Sequence, residues 1–190
     1  YVFGFGSIIN TDTHAPWVGG GVGKLQGQRA KILPSFGFQR GWIFRSNTGF
    51  TALGITKSEK AATSIHGILF RIPPKLFEGF DRREVGYDRV LLNREHLELH
   101  KPASASSQDN DDNSPYPSDV LDIQPHEKVW VYIPQPSYCA EANEDHPILQ
   151  SYVDTVLQGC LEWGGEDMAA DFVASTYNWS PFFLNDTPSS

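Results

Sequence analysis

Between residues 28 and 72 the chain carries four short apolar, β-rich runs, 28–36, 41–45, 50–56 and 64–72, with Gly and Asn punctuating the gaps. Runs of this length and spacing predict a meander or a small barrel. Residues 1–5 read as a further short strand, 87–100 return to strand-like alternation, and Lys128–Ile133 is another strand. Two helical stretches follow different rules. Pro73-Pro74 ends the last run and suits the first turn of a helix, in which Leu76, Phe77 and Phe80 form an apolar stripe. Residues 147–163 place Leu149, Tyr152, Val153, Val156, Leu157 and Cys160 on one face, with Asp145 as a plausible cap and Gly164-Gly165 as the stop. A second helix is expected at about 166–176.

At 190 residues the chain fits one domain with a sizeable core. Its 15 Lys+Arg against 23 Asp+Glu give a net charge of −8, which argues against nucleic acid or an anionic membrane surface as partner. No apolar run approaches the length of a membrane span. Cys139 and Cys160 lie far apart without metal spacing, which suits buried thiols in a reducing, cytoplasmic setting. No signal peptide is visible; the chain does not begin with Met, so a removed targeting segment stays open. The stretch at about 101–126 is polar and acidic and reads as a surface insertion within the single domain rather than a linker.

Several motifs invite a chemical reading and fail it. The Gly-Gly-Gly-Val-Gly loop at 19–23 lacks the Gly and the Ser or Thr that a phosphate-binding loop needs, so it reads as a flexible loop. His96, Glu98 and His100 share one strand face, but Leu97 and Leu99 are the inward residues, so the trio is a solvated face and no metal is expected. Neither Ser7 nor the cysteines carry the neighbours of a covalent nucleophile.

Two features remain open on the residues alone. Glu84 falls seven residues after Phe77 and four after Phe80, so it continues the apolar stripe. It is either paired with Arg82, Arg83 or Arg89 at a helix end, or it is a carboxylate whose desolvation raises its pKa and makes it a general base. The opening "YVFGFGSIIN" is either a strand with an ordinary turn or a strand that delivers bare backbone N–H groups into a pocket.

The stretch "VFGFGSII" is similar to the Tyr-Gly-Ser-Leu signature of the γ-glutamylcyclotransferase-like family. "HGILFRIPPKLFEGFDRREVGYDRVLL" resembles its strand, helix and Glu-bearing turn, and the Arg83-Glu84-Val85-Gly86-Tyr87 core is close to the glutathione-degrading ChaC-type branch. "VWVYIPQPS" and "PILQSYVDTVLQGCLEWG" resemble the family's late strand and C-terminal helix, although the latter is not typical of that branch. The four motifs occur in family order and leave out the acidic insertion.

The resemblance implies an α+β fold, a small mixed β-barrel with flanking and C-terminal helices and one pocket at its mouth. It implies a cofactor-free γ-glutamylcyclotransferase: the α-amine of a γ-glutamyl group attacks its own γ-carbonyl, closing 5-oxoproline and expelling an amine. Glu84 then matches the family's catalytic Glu, as acid and base in turn. Phe5, Gly6, Ser7 and Ile8 take the place of the loop that cradles the γ-glutamyl moiety, where Gly6 avoids blocking close approach. Tyr87 and Tyr132 are expected as hydroxyl donors at the pocket, and Tyr152 as either pocket or core. Phe5 departs from the signature by lacking the Tyr hydroxyl. Glutathione, γ-glutamyl amino acids and γ-glutamylamines are all open as substrates. A non-catalytic binding or interaction module on the same fold is the alternative.

Overall fold

The structure is a computed structural model and describes residues 1–14, 25–100 and 121–187. The Gly19–Gly23 loop and most of the acidic insertion lie outside the described residues. The strands are β1 (Val2–Gly4), β2 (Gly27–Ile32), β3 (Phe38–Arg45), β4 (Thr51–Lys57), β5 (Ile65–Phe70), β6 (Tyr87–Leu91), β7 (Leu97–Leu99), β8 (Trp130–Pro134), β9 (Ile148–Leu149), β10 (Thr176–Tyr177) and β11 (Phe183–Leu184). The helices are α1 (Phe77–Arg83) and α2 (Gln150–Ala174). No helix among the described residues is long and apolar enough to cross a membrane.

The four expected β runs become β2, β3, β4 and β5, with the first cut short at Ile32 by the turn through Pro34–Phe36. The alternation at 87–100 divides into β6 and β7, because Arg94–His96 forms a turn between them.

A six-stranded sheet runs in the order β6-β8-β1-β5-β2-β7, and a three-stranded sheet in the order β10-β3-β4. The short β9 pairs β11. Directions are mixed: β1 is antiparallel to β5 and parallel to β8. Among the described residues no ladder joins the six-stranded sheet into a closed barrel, so the architecture is mixed α+β with separate sheets. β1 is buried throughout, with Val2 and Phe3 packed among Ile68, Leu69, Phe70 and Val131. A strand buried on both faces reads as a continuous apolar run, as "YVF" does.

α2 holds the two expected helices, which meet at a kink where Gly164-Gly165 stop the first of them. Gly164 and Gly165 leave helical geometry, at φ −159° and φ 62°, yet the chain resumes its helix and buries Met168 and Phe172 beyond the kink. Asp145 does not cap it. Leu149 holds the N-cap position, and the free N–H of Ser151 is taken at 2.9 Å by Asp186 from the C-terminal segment.

Candidate active site

β1 stops at Gly4 and the chain turns sharply through residues 5–14. Three-residue hydrogen bonds from Ile9 N–H to the Gly6 carbonyl and from Asn10 N–H to the Ser7 carbonyl tighten that turn. α2 then clamps it from outside. Asn10 Nδ2 donates to the Thr155 carbonyl at 3.0 Å, Trp163 Nε1 to the Ile9 carbonyl at 3.0 Å, and Thr11 Oγ1 to Glu162 at 2.5 Å. The buried His14 ring reaches the Ile8 carbonyl at 2.6 Å. The carbonyls thus face the protein, and the Gly6 and Ile8 N–H groups have no protein acceptor among the described residues. A β-carbon on Gly6 would stand 3.1 Å from the Tyr152 hydroxyl, so the glycine lets backbone and phenol approach each other.

Asn10 also fixes the turn internally, accepting from Asp12 N–H at 2.9 Å. Asn10→Ala is expected to cost about 2 kcal/mol, from two lost hydrogen bonds at a buried site. A denaturant titration with an unchanged slope checks it.

From the opposite side comes α1. Glu84 is not on the helix itself but one residue past its end, at φ −86° and ψ 46°, with its N–H still bonded to the Phe80 carbonyl at 2.9 Å. Gly86 follows at φ 88°, a left-handed turn that glycine takes without strain, and sends the chain back as β6. The Glu84 side chain is 18% exposed and meets Arg83 Nε at 3.4 Å. Burial raises its pKa above the ordinary carboxylate value, and the Arg83 charge pulls the other way without cancelling that. Arg83 is also tied to the turn, donating to Ser7 Oγ at 3.2 Å and Thr13 Oγ1 at 3.3 Å.

A small cavity of about 40 Å³ lies between these two segments. It brings Phe5, Gly6, Ser7 and Ile8 together with Glu84, Tyr87, Tyr132 and Tyr152, and adds Phe3 and Leu53, which the sequence reading did not single out. Tyr152 sits on the apolar face of α2 and lines the cavity as well. Burial raises the pKa of all three phenols, so they are neutral hydroxyls at neutral pH.

The expectation that Tyr87 and Tyr132 offer hydrogens to a ligand does not fit their geometry. Tyr87 donates to the Leu53 carbonyl at 2.7 Å and Tyr132 to Asp81 Oδ1 at 2.7 Å. Each hydroxyl has one hydrogen, so what remains for a ligand is the oxygen lone pairs.

Arg40, also missed, sits under the site with no exposed surface. Its guanidinium donates to the carbonyls of Phe5, His66 and Phe172 and to the hydroxyls of Ser175 and Thr176. Among the described residues no carboxylate pairs with it; the Phe172 carbonyl in the last turn of α2 lies at the negative end of that helix instead. Burial lowers its pKa to about 9, which leaves it charged at neutral pH. The available signal was period-two alternation, which puts Arg40 on the same face of β3 as Trp42.

Elsewhere, His96, Glu98 and His100 do not converge: Glu98 pairs with Lys31 at 2.9 Å and His96 meets Ser35 at 3.0 Å. Among the described residues no group of three His, Cys, Asp or Glu could hold a metal ion. Cys139 and Cys160 are free thiols.

No protein-family model and no curated protein sequence matches the chain. Solved structures do. A γ-glutamyl cyclotransferase superposes with a TM-score of 0.58 at 12% identity, covering 97% of this chain and 92% of that one. YkqA from Bacillus subtilis gives a TM-score of 0.58 at 14% identity over 92% of this chain. The chain has the γ-glutamyl cyclotransferase fold. It spans 52% of YkqA, about half of that protein's length. At such identities the likeness is one of backbone course, and the cavity's chemistry rests on its own side chains.

Proposed function

We propose that the chain is a γ-glutamylcyclotransferase, releasing 5-oxoproline from a γ-glutamyl peptide or amine, with Glu84 as acid and base in turn. The observation that carries this reading is a buried carboxylate of raised pKa on the same small cavity as unused backbone N–H groups. The γ-glutamyl cyclotransferase fold is consistent with it.

The reaction is intramolecular, so the cavity's first task is to fold the substrate into an attacking shape. The α-amine enters largely protonated. Glu84 takes one proton, and the freed nitrogen lone pair attacks the γ-carbonyl carbon to form the five-membered ring. The carbonyl oxygen gains negative charge as the C–N bond forms, and the Gly6 and Ile8 N–H groups are the donors for it or for the α-carboxylate. Glu84 then returns its proton to the leaving nitrogen as the old C–N bond breaks. It takes the second proton from the ring nitrogen and passes it to the freed amine, so that the products are the neutral lactam and an ammonium ion. A carboxyl with a pKa shifted toward neutrality suits these transfers. No cofactor enters the scheme.

The test is 5-oxoproline release from glutathione, γ-glutamyl amino acids and γ-glutamylamines. Release from at least one of them is expected, and the preferred one identifies the leaving amine. A folded protein that makes none while still binding γ-glutamyl compounds would be a binding module instead. The pH profile gives a second check. Glu84 works as the carboxylate, so activity is lost as pH falls through its raised pKa, above the ordinary value of 4.5. Activity that stays level down to about pH 4 rules Glu84 out as the base.

A further inference from the structure

The cyclotransferase reading requires the substrate's α-ammonium to lie against Glu84, and the neighbouring phenols bear on how it is selected. Tyr87 and Tyr132 both line the cavity, and both have their only hydroxyl hydrogen committed to the protein, to the Leu53 carbonyl and to Asp81. Beside Glu84 there are therefore two further acceptors and no phenolic donor from these residues. Such a set suits a cation with several N–H groups and rejects an acylated nitrogen.

Leu53 contributes a backbone carbonyl, which no substitution removes, but Asp81 contributes a side chain. It stands on α1 outside the cavity, held between two donors: Tyr132 at Oδ1 and Arg89 Nη1 at Oδ2, 3.2 Å away. Arg89 is itself fixed over the rings of Phe77 and Trp130, at 4.8 Å and 5.1 Å. We propose that Asp81 is a positioning residue: it draws the Tyr132 hydrogen out of the cavity, so that the Tyr132 oxygen becomes an acceptor selecting a free α-ammonium on the γ-glutamyl group. This inference rests on the cyclotransferase reading and adds the determinant of its amine specificity.

Asp81→Asn tests it, because an amide has one oxygen where the carboxylate has two. The Arg89 cation holds that oxygen and repels the NH₂ group, which is left facing Tyr132. Tyr132 must then accept, and its hydrogen turns into the cavity toward the ammonium. Asp81 is 44% exposed in its side chain, so the substitution leaves the core intact.

Two measurements read the effect: KM and kcat on the best γ-glutamyl substrate, and calorimetric affinity for L-glutamine against N-acetyl-L-glutamine. The parent is expected to bind L-glutamine and to reject its N-acetyl form. Asp81→Asn is expected to raise KM and the L-glutamine Kd about tenfold, the scale of one charge-assisted hydrogen bond, with kcat changed far less. Tyr132→Phe is expected to do the same, and Asp81→Asn added to Tyr132→Phe to change nothing further, because both act through one hydroxyl. An unchanged KM in Asp81→Asn, or full additivity with Tyr132→Phe, overturns the inference while leaving the cyclotransferase reading standing. A parent that neither turns over nor binds any γ-glutamyl compound overturns that reading and this inference with it.

Discussion

Glu84→Gln is expected to lower 5-oxoproline release by about 10³-fold or more while leaving the fold at least as stable. General acid–base catalysis contributes roughly 10²–10⁴-fold in enzymes, and here one carboxylate makes all the proton transfers. Glutamine keeps the shape of the side chain and an oxygen for Arg83, so the loss falls on the chemistry. The stability half follows from linkage. The folded state raises the Glu84 pKa, so it favours the protonated form. Ionised Glu84 thus costs stability above its folded pKa, and that cost disappears below the unfolded value of about 4.3. Glutamine cannot ionise. Its thermal midpoint should equal or exceed the parent's at about pH 8, with the difference shrinking as pH falls toward about 4. Melts across a pH series, run beside the activity assay, test both halves. A variant retaining more than about a tenth of parental activity would remove Glu84 from its role.

Arg40→Met should have the largest effect on stability. Methionine roughly fills the volume but leaves the Phe5, His66 and Phe172 carbonyls and the Ser175 and Thr176 hydroxyls without the guanidinium donor. Each buried acceptor abandoned in this way costs about 1–3 kcal/mol, and some retain other partners, so about 4 kcal/mol in total is expected. That is a large part of a typical 5–15 kcal/mol and corresponds to a fall of about 10–15 °C in midpoint. Arg40→Lys should recover little, since an ammonium carries three hydrogens and no planar fork. A midpoint within about 2 °C of the parent's would mean that these bonds are replaced by others on mutation.

How far the sequence could be read follows the range of each interaction. β2 to β5 were visible because alternation and glycine punctuation are local signals. The Pro-Pro start and the stripe through Phe77 and Phe80 pointed to α1, and they pointed to Glu84 even though it lies just past the helix end. What stayed hidden depends on partners distant in sequence. The direction of the Tyr87 and Tyr132 hydrogens is set by Leu53 and Asp81, neither of which carries a motif. Arg40 draws its acceptors from residues 5, 66, 172, 175 and 176, so no window around position 40 could reveal them. The cap on Ser151 comes from Asp186, where a local reading could only offer Asp145. Gly164-Gly165, by contrast, are a local signal: they stop the first helix as expected, and a second follows that buries Met168 and Phe172.

The pairing of β1 has a consequence for how the protein is made. This strand has one neighbour in Val2↔Phe70 and the other in Val2↔Trp130, so its two ladders join chain segments emerging from the ribosome at very different times. Closing such long loops carries an entropy cost before any contact compensates it, and topologies of this kind fold slowly. Until β8 has been synthesised, β1 is an apolar strand with an unpaired edge, open to wrong partners. The residues of the turn after β1 are translated well before α2, yet they acquire their final shape only when α2 closes over them.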